Sequence, residues 1–187
     1  MLEDKNKINI VKKMALAIAS FGISFIAVVT PTYATQISEA KLVELLNTER
    51  TNHELKTLTI DPSLYFAALT KAQDMLKKGY FEHFTPDNKS PWTFIKNAGY
   101  YYTKAGENLA MDFRTSEGVN NAWLASPAHK QNMLDPDFEN VGLATLKGNF
   151  NGHETIMIVE MFGKKDQSFL SPVNSLISTV TNYIIGF

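Results

Sequence analysis

The sequence predicts an α+β domain with helices packed on a sheet, and three observations predict it. Residues 38–134 carry apolar side chains at helical spacing, punctuated by serines, an aspartate and glycines suited to helix ends. After Pro136 the period changes, and two apolar runs flank a stretch rich in glycine and asparagine. The composition, 44% hydrophobic and 20% charged over 187 residues, is that of one ordinary globular domain.

The first helix is expected over "SEAKLVELLNTER", where Ser38 caps and Leu42, Leu45, Leu46 and Glu49 follow helical spacing. "DPSLYFAALTKAQDMLKKG" gives a second. Asp61 caps it, Pro62 takes the first helical position, and Leu64, Ala68, Ala72, Met75 and Leu76 line one face until Gly79 ends it. Short helices are expected from Ser90 to Gly99 and from Ser126 through "SPAHKQNML", each opened by Ser-Pro. Between them, "TSEGVNNAWLA" puts Val119 and Trp123 on one face, so Trp123 is expected in the core. "VGLATLK" and "TIMIVEMFG" read as strands joined through "GNFNGHE". Their runs are mostly apolar rather than alternating, which predicts a sheet covered on both faces.

The ends of the chain read differently. "MLEDKNKINIVKK" carries four lysines, Met14 to Val29 carries no charge, and "TPTYA" supplies small residues at Thr32 and Ala34. That order predicts a secretory signal peptide over residues 1–34, with an uncleaved anchor through residues 14–29 as the alternative. The apolar run is about 16 residues, where a bilayer span needs about 20. The expected organisation is a signal peptide (1–34), a folded domain (37–165) and an apolar tail (166–187). In the tail, Leu176, Val180, Tyr183, Ile184 and Phe187 share a helical face, and no lysine or arginine is present to favour anionic lipid. Docking on the domain, docking on a partner, and disorder are the readings open for it.

Charge and cysteine content exclude several functions. The net charge is −1, and the signal segment carries four lysines against two acids, so its removal takes the charge to −3. No block of basic residues is present, which excludes nucleic acid as a partner. With no cysteine, thiol catalysis, thiolate zinc sites and disulfide scaffolding are excluded too. About 150 mature residues can bury an adequate core without them.

Three short stretches carry the chemistry. "GYFEHFTPDNKSPW" sets His83 among aromatics, "KAGENLA" puts Glu107 in an expected loop, and "WLASPAHKQN" puts His129 on the first turn of its helix. Taken singly, each has an ordinary explanation: a packed imidazole, a carboxylate accepting backbone N–H bonds, a surface histidine. Two imidazoles and one carboxylate suit Zn²⁺ with a fourth position open to water, although no single helix face unites them and convergence has to come from the fold. Without metal, the carboxylate would hold one imidazole protonated. His53 and His153 have no such neighbours in the sequence. "NGHETIM" opens like a helical zinc-protease motif, but its second histidine is absent and the segment reads as a hairpin. Trp92, Tyr100, Tyr101 and Tyr102 form an aromatic cluster read as core and cleft wall.

In their order and spacing, "GYFEHFTP", "AGYYYTKAGENLA", "AWLASPAHKQNML" and "FENVGLA", with "NTER" before them and "VEMFG" after, resemble the CAP superfamily. This is the group of cysteine-rich secretory, antigen 5 and pathogenesis-related proteins, whose bacterial members are SCP-like extracellular proteins. The resemblance runs from about residue 37 to residue 163. It implies a three-layer α-β-α sandwich with a central cleft lined by two histidines and two glutamates, where some members bind a divalent metal. Carried over, His83 and His129 match the two histidines and Glu107 matches one glutamate. The other glutamate, three residues after the helix tryptophan in eukaryotic members, is Ser126 here, so zinc is expected to be held weakly. Ser126, Asn108 and Tyr102 are expected to line the cleft.

The resemblance implies an exported binding or interaction module. Its expected partner is an extracellular ligand (a protein, a lipid or a cell-wall component), and membrane contact is expected only through an uncleaved signal segment. A hydrolase is the rival reading, with a metal activating water or with His129 as general base on Ser126. No third group in the sequence orients that histidine, and a fold by itself selects no reaction.

Overall fold

The computed structural model of the protein describes residues 37–169 and residue 185. The expected signal peptide, the alternative anchor and the apolar face of the tail lie outside the described residues. The elements are α1 (Glu39–Asn52), β1 (Thr59–Ile60), α2 (Pro62–Lys78), α3 (Trp92–Asn97), β2 (Tyr102–Met111), α4 (Ser116–Ala125), α5 (Pro127–Met133), β3 (Asn140–Phe150) and β4 (His153–Lys165).

The long helices start and stop where their side chains dictate. Ser38 accepts a hydrogen bond from the Lys41 amide at the head of α1. Asp61 Oδ1 accepts from the amides of Ser63 and Leu64 at the head of α2. At the far end Gly79 takes φ 69°, a left-handed conformation that glycine adopts without a Cβ penalty. The Ser-Pro openings behave differently from expectation. Helix α3 begins only at Trp92, with Pro91 as its cap, and the Ser126 side chain makes no cap hydrogen bond at α5. Proline fixes the first turn's φ and has no amide to satisfy, so those starts depend less on a serine acceptor.

The sheet has the order β1-β3-β4-β2, with β1 parallel to β3 and the other pairs antiparallel. The hairpin is tighter than expected. Strands β3 and β4 run up to Phe150 and His153, leaving Asn151 (φ 51°) and Gly152 (φ 97°) as a two-residue Asn-Gly turn. Two strands were not legible in the sequence. One is the short β1. The other is β2, where Glu107 sits on a strand and not in a loop. Lys, Gly, Glu and Asn dominate the middle of β2 and have low strand propensity, so pairing with β4 along its length overrides local preference.

Side chains of the central strands alternate between two cores. Met157, Val159 and Met161 of β4 pack with Leu64, Ala68, Met75 and Ile95 of α2 and α3. Ile158 and Phe162 pack with Leu42, Leu46, Val119, Trp123 and Met133 of α1, α4 and α5. The result is the three-layer α-β-α sandwich. Trp123 is in the core as expected, and its Nε1 donates to the Leu109 carbonyl. Burying such a side chain stabilises the fold by about 2–3 kcal/mol, and it does so here without any disulfide. Arg50, from the "NTER" stretch, is fully buried. It donates to the carbonyls of Lys56, Met133 and Asp135, which ties α1 to the end of α5. Among the described residues no helix is long and apolar enough to cross a membrane.

Candidate functional site

Strand β2 is the edge strand opposite β1; α5 packs on it, and Trp92 of α3 reaches Tyr102 at its start. His83 lies in the segment joining α2 to α3, on one side of the sheet. His129 lies on α5, on the other side. Glu107 stands on the strand between them. Successive strand residues face opposite layers, so Glu107 turns toward His83 while Asn108 turns toward α5.

Glu107 Oε1 is 2.6 Å from His83 Nδ1. The Glu107 side chain is 1% exposed and the imidazole 51% exposed, so a buried carboxyl group holds a half-solvated ring. That hydrogen bond raises the His83 pKa above its ordinary value. Burial raises the Glu107 pKa, against the pull of His83 and of the Lys71 ammonium group. His129 shifts the other way, lowered by burial and by the nearby His83. One imidazole is thus biased toward charge and its neighbour toward neutrality. Glu107 Oε2 is buried with no hydrogen-bond partner.

Two hollows meet at His83. One, of about 360 Å³, is lined by Phe81, Glu82, His83, Phe84, Leu109 and His129. The other, of about 370 Å³, is lined by His83, Phe84, Pro91, Trp92, Ala105, Gly106, Glu107 and Asn132. Phe84 is exposed between them. Trp92, tilted against Tyr102 at 6.5 Å, serves as wall, whereas Tyr100 is core and Tyr101 lies outside, stacked on Phe169.

Behind the strand lies a buried polar network. Asn108 Nδ2 donates to Glu160 Oε2 at 3.0 Å and to the His129 carbonyl at 3.3 Å, while Asn108 Oδ1 accepts from Asn132 at 2.9 Å. Asn132 also donates to the Glu107 carbonyl at 3.1 Å. Asn108 is therefore not on the cleft wall, where the sequence placed it. It is fully buried and fastens α5 to the strand. Glu160 is 0% exposed, and burial pushes its pKa up to about 8 despite the Asn108 hydrogen bond. Ser126 is half-buried at the α4–α5 junction and lines neither hollow.

Glu160, Asn132 and Lys71 were not anticipated as parts of the site. Two of them left a signal. Glu160 is the one acid within the apolar run 155–163 of β4, and Lys71 occupies the stripe Leu64, Ala68, Met75 on the buried face of α2. The His53 ring bonds the Glu49 carbonyl of its own helix. His153 opens β4, which agrees with the hairpin reading, but it does have a carboxylate neighbour: Asp112 Oδ1 lies at 3.5 Å, both groups being solvated.

For a divalent ion, the donor types fit and the present rotamers do not converge. Two imidazoles and a carboxylate with one unpartnered oxygen are a zinc donor set. Among the described residues, however, no three His, Asp or Glu side chains stand close enough to hold one ion.

A family model for the cysteine-rich secretory protein family (CAP) matches residues 43–162. The chain is 44% identical over 105 residues to the uncharacterized protein YkwD of Bacillus subtilis (strain 168), covering 56% of this chain and 41% of that protein. It is 26% identical to the uncharacterized membrane protein YlbC of the same strain, covering 57% and 31%. The matched region spans less than half the length of these curated relatives. Among solved structures, an outer surface protein from Borrelia burgdorferi aligns with TM-score 0.62 at 26% identity, over 68% of this chain and 92% of that one. An extracellular protein containing an SCP domain from Bacillus anthracis aligns with TM-score 0.58 at 24% identity, over 67% and 40%, a likeness of fold.

Proposed function

The chain belongs to the cysteine-rich secretory protein (CAP) family, and from that membership we propose that it acts outside the cytoplasmic membrane as a binding or interaction module. The bound species is an extracellular protein, lipid or cell-wall component, taken at the cleft that His83, Glu107 and His129 share. The observation that carries this reading is the 2.6 Å contact of the buried Glu107 with the half-solvated His83, at the junction of two open hollows with aromatic walls. Sites of this kind offer apolar area for a ligand and a few placed polar groups to orient it.

Zinc, in this reading, is a weakly held companion. His83, His129 and Glu107 would hold it, and the ion would supply a positive centre for an anionic or carbonyl group of the ligand. Nε2 of His83 is the nitrogen left for the ion, since Nδ1 is engaged by Glu107, and Oε2 is the Glu107 oxygen left for it. Protons compete for imidazole, and since Glu107 raises the His83 pKa, binding weakens at a higher pH than for an ordinary histidine.

Hydrolysis keeps one observation in its favour. A buried carboxylate on Nδ1 leaves Nε2 of His83 as the basic nitrogen, the arrangement of an oriented general base. Ser126 does not support the serine version, since it lies outside the hollow of His129.

Calorimetric titration with zinc of the wild type, His83→Ala and His129→Ala tests the cleft. One weak site, lost in both variants, is expected; unchanged binding in either removes that residue from the site. Turnover of ester or amide substrates that His83→Ala abolishes would make the protein an enzyme. Sequencing the N-terminus of exported protein tests location: a start at Thr35 is expected, and an intact Met1 on membrane-bound protein means an anchor.

A further inference from the structure

We propose that Lys71 is a positioning residue of the cleft: its ammonium group fastens the backbone carbonyls of Glu82 and His83 and thereby sets the His83 ring against Glu107. Lys71 is 0% exposed, in the apolar stripe of α2, where leucine or methionine would pack at no electrostatic cost. Its Nζ donates to the carbonyls of Glu82 at 2.8 Å and His83 at 2.7 Å, and lies 3.4 Å from the Tyr80 hydroxyl. The rings of Tyr80 and Phe94 flank the cation, with Nζ at 4.8 and 5.5 Å from their centroids. Tyr80 is fixed in turn by donating to Asp74 Oδ2 at 2.6 Å.

The two residues whose carbonyls Lys71 binds are themselves exposed, so the bonds reach from the core to a surface segment. The following turn does not depend on it. Thr85 bonds the amide and carbonyl of Lys89 and accepts from the Asn88 amide, which closes that turn by itself. What Lys71 adds is the placement of residues 82 and 83 relative to α2. The ring of the same residue meets Glu107, and the Lys71 charge pulls the Glu107 pKa down against burial. A buried cation that serves two carbonyls beside a cleft histidine is the arrangement by which a supporting shell orients a working side chain.

The inference rests on the reading of His83 and Glu107 as the working pair, and its test uses the metal-free protein, so a failed zinc titration leaves it standing. The readout is the Nδ1 proton of His83 in proton NMR, shifted downfield by the Glu107 hydrogen bond and assigned by its loss in His83→Ala. In Lys71→Met, which keeps length and apolar bulk, this resonance should disappear or broaden while the amide signals of β3 and β4 hold their positions. A sharp, unshifted signal in the folded variant would overturn the proposal. If Lys71→Met does not fold, Lys71→Leu is read the same way, because it fills the apolar stripe and likewise removes every donor to the two carbonyls. Failure of both to fold would overturn the proposal too, making Lys71 part of the core and not an aiming device. In the wild type, the Lys71 ammonium protons should exchange slowly and show through-bond coupling to the Glu82 and His83 carbonyl carbons; absence of that coupling counts against it equally.

Discussion

Glu107 and Asn108 are consecutive on the edge strand and serve opposite layers of the sandwich. Glu107 Oε1 meets His83 Nδ1 at 2.6 Å on the α2–α3 side, and Asn108 Nδ2 meets Glu160 Oε2 at 3.0 Å on the α4–α5 side. The two-residue period of a strand thus splits one short motif into a working half and an anchoring half. Since Asn108 also reaches the His129 carbonyl, both histidines are referred to the same strand.

Asn108→Ala should therefore cost stability and disturb α5. The substitution leaves Glu160 without its buried partner and takes from Asn132 one of its two hydrogen bonds, and the loss expected is about 3 kcal/mol in urea unfolding. A loss below about 1 kcal/mol would show that water replaces the amide in full.

Glu160 predicts a pH dependence of stability. Its folded pKa, about 8, lies above the ordinary 4.5, so the native state keeps a proton that the unfolded chain releases. That contribution is complete below about pH 4.5 and is lost as pH rises through about 8. Glu160→Gln keeps an acceptor for Asn108 and removes the titration, so its stability should fall less between pH 5 and pH 8 than that of the wild type. Parallel curves for the two proteins in denaturant titrations would assign the dependence elsewhere.

Gly142 is required by close approach. A Cβ there would overlap the Leu64 carbonyl carbon and the Tyr65 amide nitrogen, backbone atoms of α2 that cannot rotate away. Gly142→Ala should destabilise the domain by about 3 kcal/mol or more and lower the thermal midpoint by roughly 6 °C or more. An unchanged midpoint would mean that α2 can lift off the sheet freely.

Cutting the chain after Lys165 should be tolerated. Strand β4 ends there, and Lys165 keeps its ion pair to Asp61 at 2.8 Å. Among the described residues the cut removes the Phe169 ring stacked on Tyr101, worth about 1 kcal/mol, so the midpoint should move by only a few degrees. A drop of about 10 °C or more would place the apolar face of the tail in the core.

Local chemistry in the sequence determined the helices. Ser38, Asp61, Pro62 and Gly79 set the ends of α1 and α2 through interactions confined to one turn, and the apolar spacing set which faces are buried. The change of period after Pro136 and the Asn-Gly pair likewise determined the hairpin, and the ordered motifs determined the family. The tertiary structure alone decided β2, because a strand of Lys, Gly, Glu and Asn exists only through its pairing with β4. It alone decided that Asn108 turns inward while Glu107 turns to the cleft. It also decided what Lys71 and Glu160 do, since a charged residue in an apolar stripe reads as an exception until its partners, brought from distant parts of the chain, are in place. Hydrogen bonds within one turn are written in neighbouring residues, whereas the meaning of a buried charge is set by the groups that folding delivers to it.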